Sequence, residues 1–185
     1  MLEVPIPGSS HPTAVPAFEL SWQTHTLVTG EGASSINVSD TGIQVQSKTY
    51  SYTYRTLQAN GTLTAHVPDV REGVRAGLML RERLELGSKG MFVYADMPNP
   101  KGKNLPPAKT ATLDSALVSL PVDTQASGFY LRLERTDNRI TVYFSMDGQH
   151  WTLLTQMTLE LPSQVFIGLA VDPGSEQDTT VDFGD

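Results

Sequence analysis

The stretch Tyr130-Leu131-Arg132-Leu133-Glu134-Arg135-Thr136-Asp137-Asn138-Arg139-Ile140-Thr141-Val142-Tyr143-Phe144-Ser145-Met146-Asp147-Gly148-Gln149-His150-Trp151 decides the fold. Leu131 and Leu133 alternate with Arg132 and Glu134, and Ile140, Val142 and Phe144 alternate with Thr141 and Tyr143. A period of two sends one set of side chains to a core and the other to the opposite face of a strand. Between the two runs, Asp137 and Asn138 tolerate positive φ and so predict a hairpin turn. Asp147-Gly148 predicts a second hairpin, returning Trp151, Leu153 and Leu154 along the sheet.

Outward from this stretch the period stays at two. Ile43-Gln44-Val45-Gln46 and Thr62-Leu63-Thr64-Ala65-His66-Val67 alternate in the same way, and Asn60-Gly61 and Pro173-Gly174 supply turns. Short, evenly spaced strands with such turns predict an all-β chain built as a two-sheet antiparallel β-sandwich of jelly-roll type. Residues 1–17, with Pro5, Pro7, Pro12 and Pro16, read as a proline-rich lead-in or linker, and residues 18–185 as a single domain. Residues 96–128 read as a long inserted loop that carries Pro98, Pro100, Pro106 and Pro107 beside Lys101, Lys103 and Lys109. Within it, Ala111 to Leu120 fits a strand or a helical turn. A loop of that length in a compact domain is more often functional than neutral.

The totals remove several function classes. The 185 residues suffice for one domain with a real core, and a net charge of −7 disfavours nucleic acid or an anionic membrane surface as partner. With no cysteine, disulfides, thiolate metal sites and cysteine nucleophiles drop out. The longest apolar run, Val165 to Val171, is too short for membrane insertion as a helix. Met1-Leu2-Glu3-Val4-Pro5 lacks the basic start and apolar stretch of a signal peptide, which leaves two readings, a cytoplasmic chain or one whose leader was removed.

Three ordered blocks resemble the concanavalin A-like lectin/glucanase superfamily, in particular its lectin-like modules of unknown function in exported bacterial multidomain proteins. They are Ala76-Gly77-Leu78-Met79-Leu80-Arg81-Glu82 with Gly87-Ser88-Lys89, then Tyr130 to Trp151, then Val165-Phe166-Ile167-Gly168-Leu169-Ala170-Val171 with Val181-Asp182-Phe183. Trp22, Gly30 to Ser34 and Gly61 to Val67 fit the opening strands. The chain departs from the pattern in the 96–128 insertion and at Asp172-Pro173. The resemblance implies a concanavalin A-like jelly roll, an extracellular or cell-surface location, and a leader removed ahead of the proline-rich linker.

No catalytic residue is expected. Glycosidases of this fold resemble Glu-x-Asp-x-x-Glu on one strand, a string absent here. Glu82 and Glu85, or Glu134 between Arg132 and Arg135, read instead as solvated, ion-paired surface. His11, His25, His66 and His150 show no metal-ligand spacing. Ser145-Met146-Asp147-Gly148-Gln149-His150-Trp151 resembles the sialidase Asp box, a structural hairpin, with Asp147 accepting backbone N–H groups and Trp151 packed beneath. Asp172, Asp178 and Asp182, or Asp96 and Asn99, leave room for a structural calcium ion without the dense spacing that would assign one.

For binding, strand parity gathers Tyr130, Arg132 and Tyr143 on the one sheet face turned away from the core and adds Met79 with Arg81, or their neighbours, and Tyr94 to it, where rings and guanidinium groups suit a saccharide. The expectation is a non-catalytic accessory module of an exported microbial protein, binding a glycan on the concave sheet. The alternatives are a structural module contacting neighbouring domains or copies of itself, and a glycan-active enzyme of the same fold.

Overall fold

The computed structural model describes residues 23–26, 34–39, 42–47, 49–68, 73–85, 87–96, 115–121, 128–174 and 178–184. The 1–17 lead-in, Trp22, the basic half of the 96–128 insertion and His11 lie outside them, as does Asn99. Among the described residues thirteen strands are formed: β1 (Gln23–Thr26), β2 (Ser35–Ser39), β3 (Gly42–Ser47), β4 (Ser51–Gln58), β5 (Gly61–Val67), β6 (Arg75–Arg81) and β7 (Gly90–Asp96). They continue with β8 (Ser115–Pro121), β9 (Phe129–Thr136), β10 (Arg139–Ser145), β11 (Thr152–Thr158), β12 (Gln164–Asp172) and β13 (Thr179–Gly184). Of the two readings open for Ala111 to Leu120, the strand is the one formed from Ser115 onward, as β8, and residues 111–114 lie outside the described residues.

The strands make two sheets. One has six strands in the order β1-β4-β12-β6-β7-β8, the other seven in the order β11-β10-β9-β5-β13-β3-β2. Every pair is antiparallel except β7 with β8 at the edge of the six-stranded sheet, which is parallel and so needs a crossover instead of a hairpin. The chain changes sheet repeatedly. The turn at Ala59 and Asn60 carries β4 of one sheet into β5 of the other, with Ala59 at φ 57°. The turn after β12 does the same for β13, and Gly174 stands there at φ 62°.

The hairpin read from the sequence closes at Asp137 (φ 55°), with Arg139 opposite Thr136 and Tyr143 opposite Arg132. In the second hairpin the register jumps from Val142↔Thr155 to Tyr143↔Leu153. Leu154 is the extra residue of this bulge and turns into the core, while Leu153 is left outside at 55% exposure.

The core lies between the sheets. Leu63, Ala65, Leu131, Leu133, Ile140 and Val142 from the seven-stranded sheet meet Leu78, Leu80, Val93, Val165, Ile167 and Leu169 from the six-stranded one. One end is closed by Arg135, which continues the inward parity of Leu131 and Leu133. It donates to the carbonyls of Asp137 (Nε, 2.9 Å), Pro162 (Nη2, 2.6 Å), Leu161 (Nη2, 3.4 Å) and Ser163 (Nη1, 3.4 Å). A buried cation is tolerated there because its N–H groups are met by carbonyl dipoles.

Candidate ligand-binding face

The six-stranded sheet is apolar on both sides. Its outer face carries a second buried cluster of Tyr52, Tyr54, Met79, Phe92, Tyr94 and Ala170, with Tyr50, Leu84 and Phe166 packed against it. Parity explains the composition. Tyr50, Tyr52 and Tyr54 occur at every second position of one segment, Phe92 and Tyr94 do so on β7, and Arg75, Gly77, Met79 and Arg81 do so on β6. Register then aligns Tyr54, Gly168, Met79 and Phe92 in one row across the sheet, and Tyr52, Ala170, Gly77 and Tyr94 in the next.

The small residues occupy the middle of these rows. A Cβ on Gly77 would come within 1.9 Å of the Val93 carbonyl oxygen, and one on Gly168 within 2.0 Å of the Thr53 carbonyl oxygen. Both glycines are therefore needed for the approach of neighbouring backbones. Larger rings from β4 and β7 flank this low centre in two groups. Tyr52 lies 5.4 Å from Tyr54, which meets Phe166 edge-on at 5.1 Å. Tyr50 lies 5.8 Å from Phe92, which lies 5.0 Å from Tyr94.

Polar groups enter this layer from both ends of β6. Arg75 Nη1 reaches Asp172 Oδ2 at 3.4 Å, and its guanidinium carbon sits 5.3 Å from the centre of the Tyr94 ring. Arg81 is 0% exposed and donates from Nε to the Arg83 carbonyl (3.1 Å) and from Nη2 to the Glu85 carbonyl (2.6 Å). Ser88 Oγ completes the same turn, donating to the Arg83 carbonyl at 2.7 Å. Arg81 thus ties down the β6–β7 connection with two of its nitrogens.

The third nitrogen, Arg81 Nη1, is buried without an acceptor, as are Arg75 Nε and the Tyr50 hydroxyl. A buried polar group left unmatched costs about 1–3 kcal/mol. Burial lowers the Arg81 pKa from its ordinary value and pushes the Tyr50 and Tyr52 hydroxyls well above the usual tyrosine range. Tyr50 also feels the charges of Arg81, Asp172 and Arg75, which places its hydroxyl in the field of both guanidinium groups. Tyr52 is satisfied differently, donating to the Met79 carbonyl at 3.1 Å.

The five residues singled out from the sequence do not converge. Arg81 and Tyr94 belong to this layer, whereas Tyr130, Arg132 and Tyr143 lie on the outer face of the seven-stranded sheet, across the core. Parity separates inward from outward positions on β9 and β10 but left β6 open between Met79 with Arg81 and their neighbours, and nothing in a strand's own alternation says which sheet it joins. On the seven-stranded side the groups are occupied with one another. The Tyr130 ring lies 4.8 Å from the His66 ring, and a Cβ on Gly148 would sit 3.3 Å from it. Arg132 stands over Trp151 at 3.9 Å and its Nε reaches Thr64 Oγ1 at 3.4 Å. The neighbours of this set are Thr62, Thr64 and Gln156, a solvated strand surface.

The other sequence candidates take structural places. Asp147 accepts from the backbone N–H groups of Gln149 and His150 at 2.8 Å each and lies 2.6 Å from His150 Nδ1, while Ser145 Oγ donates to it at 2.9 Å. Glu85 pairs with Arg83 at 3.2 Å on the surface. Asp172 also accepts from Gly174 N at 3.0 Å, and Asp182 accepts from Gln44 Nε2 at 2.7 Å. Among the described residues no three His, Asp or Glu side chains form a group that could hold a metal ion.

No protein-family model and no curated protein matches the chain. Solved structures do. A functionally unknown protein from Saccharomyces cerevisiae superposes with a TM-score of 0.59 at 11% identity, over 89% of this chain and 92% of that one. The exoplasmic/lumenal domain of VIP36 superposes with a TM-score of 0.52 at 11% identity in its Ca2+/Man3GlcNAc-bound form, over 88% of this chain and 82% of that one. Its Ca2+/Man2-bound form gives the same TM-score and identity, with 88% and 80% covered. Identity this low carries the fold alone. The chain has a lectin-like, concanavalin A-like β-sandwich fold.

Proposed function

We propose that this chain is a non-catalytic saccharide-recognition module whose ligand sits on the outer face of the six-stranded sheet. The reading rests on one observation: a sheet face turned away from the core carries a layer of aromatic rings into which two arginines and a tyrosine hydroxyl bring unmatched donors. Most of these rings are buried, so the partly exposed Tyr50 and Phe166 present apolar faces to the C–H side of a sugar, and the donors beside them take its hydroxyl oxygens. Structures of the VIP36 domain with mannose-containing saccharides support sugar binding as the use to test first on this fold. They equally motivate adding calcium to that test. The module fits an accessory domain of an exported protein, the setting that the sequence resemblance implies.

A glycan array probed with the intact chain, with and without calcium, tests the proposal. Binding should fall at least about tenfold in Tyr50→Ala and remain unchanged in Tyr143→Ala on the opposite sheet. Absence of binding to every saccharide, or loss through Tyr143 alone, would overturn it.

A further inference from the structure

We propose that residues 1–22 pack across the aromatic layer of the six-stranded sheet as a third layer, with proline rings laid on tyrosine and phenylalanine rings. Tyr52 is 0% exposed, Phe92 2%, Tyr94 7% and Tyr54 8%, although all four point away from the core. Neighbours on one sheet face cover each other's flanks, but the tallest groups of a layer cannot all roof one another. Tyr50, Leu84 and Phe166 are packed against the cluster and are themselves partly exposed. On the seven-stranded sheet, by contrast, the outward rings of Tyr130 and Tyr143 stay half-exposed. The burial of the aromatic layer is a property of the single chain, so its roof is part of this chain and not a partner.

The two longest stretches outside the described residues are 1–22 and 97–114, and chemistry favours the first. Residues 97–114 bring Lys101, Lys103 and Lys109, which would lose their water beside Arg75 and Arg81. Residues 1–22 contain no lysine or arginine, and set Ile6, Val15 and Phe18 beside Pro5, Pro7 and Pro16. A proline-rich stretch is extended before it docks, so it loses little conformational freedom, and surfaces lined by aromatic rings are what such stretches dock on. The point of attachment agrees. Residue 22 leads into β1 at the sheet edge, where Gln23 lies opposite Tyr54 of β4. From β4 to β7 is three strand spacings, roughly 15 Å, which about five residues of polyproline helix cross at ~3.1 Å each. Tyr50 and Phe166 keep exposed surface, so a roof over the other rings and a saccharide at these two are separate claims.

The chain has no cysteine, so Ser9→Cys gives a single attachment point for a nitroxide in the intact protein. With ring-labelled tyrosines, the nitroxide should quench the resonances of Tyr50, Tyr52, Tyr54 and Tyr94. Those of Tyr130 and Tyr143, across the core, should keep their intensity. A label at Thr13→Cys, nearer β1, should give the same division. Replacing Pro5, Pro7, Pro12 and Pro16 together by serine should restore the quenched signals and lower the melting temperature by about 2–4 °C. Quenching of neither group, or of both alike, would overturn the proposal. Quenching seen only from a label at Lys103→Cys would make 97–114 the roof and overturn it as well. Quenching in a mixture of separately spin-labelled and ring-labelled chains would put a second copy's segment on the face, and would overturn it too. In each of these cases the glycan array still decides separately on saccharide recognition.

Discussion

The Arg132 guanidinium carbon lies 3.9 Å from the centre of the Trp151 ring. This pair closes the second hairpin, joining β9 to the residue before β11 across the end of β10. A half-buried cation–π contact of this kind contributes on the order of 0.5–1 kcal/mol. A double-mutant cycle with Arg132→Ala and Trp151→Ala should show coupling of about that size in denaturant unfolding. Saccharide affinity should be unaffected by either change, because both residues sit on the opposite side of the core from the aromatic layer.

The Asp147–His150 pair sets a pH dependence. Hydrogen bonds from His150 and Gln149 hold the Asp147 carboxyl well below the ordinary value of 3.8, and Asp147 in turn raises the His150 pKa above 6.5. The depressed carboxylate stabilises above pH 3.8 and loses this as pH falls through its folded value. The raised histidine stabilises below pH 6.5 and loses this as pH rises through its folded value. The pair therefore contributes fully between about pH 3.8 and 6.5. NMR titration should give His150 a pKa above 6.5, moving back toward it in Asp147→Asn.

Gly77→Ala and Gly168→Ala should each destabilise the fold by about 1–3 kcal/mol, at the upper end because the added methyl meets backbone instead of a movable side chain. Thermal melting of both variants checks this. Full retention of stability would mean that the strands can part without cost, contrary to the packing of the two rows.

Arg135→Met should cost about 3 kcal/mol, since four carbonyls at the closed end of the core lose their donor. Arg135→Lys should recover little of that, because one ammonium cannot reach acceptors spread over the β9–β10 turn and the β11–β12 connection. Urea unfolding of the two variants measures the difference.

Much of this architecture was legible in the chain, and the reason is physical. Alternation in Phe129 to Ser145 fixes inward and outward positions strand by strand, and Asp137 and Gly148 mark turns that only a few residue types can make. The Asp147 turn was also readable, because every bond that forms it lies within six residues. Sheet membership was not. Arg81 and Tyr130 obey the same alternation, yet the connections place them on opposite outer faces, and non-local pairing leaves no trace in a single strand.

The aromatic layer left a signal that alternation alone could have caught. Tyr50, Tyr52 and Tyr54 at period two put three rings on one face, on the side where polar residues are expected. Arg81 shows the limit from the other direction. Its spacing marks it as outward-facing, but its bonds to the Arg83 and Glu85 carbonyls depend on how the following turn folds back.

The six tyrosines of the chain divide four to two between the outer faces: Tyr50, Tyr52, Tyr54 and Tyr94 on the six-stranded sheet, Tyr130 and Tyr143 on the seven-stranded one. Ring-labelled tyrosine NMR during saccharide titration therefore reads the binding face directly. Saccharide recognition on the six-stranded face predicts that the resonances of Tyr50 and its three neighbours shift with ligand while those of Tyr130 and Tyr143 stay fixed. Shifts confined to Tyr130 and Tyr143, or no shift with any saccharide, would contradict it.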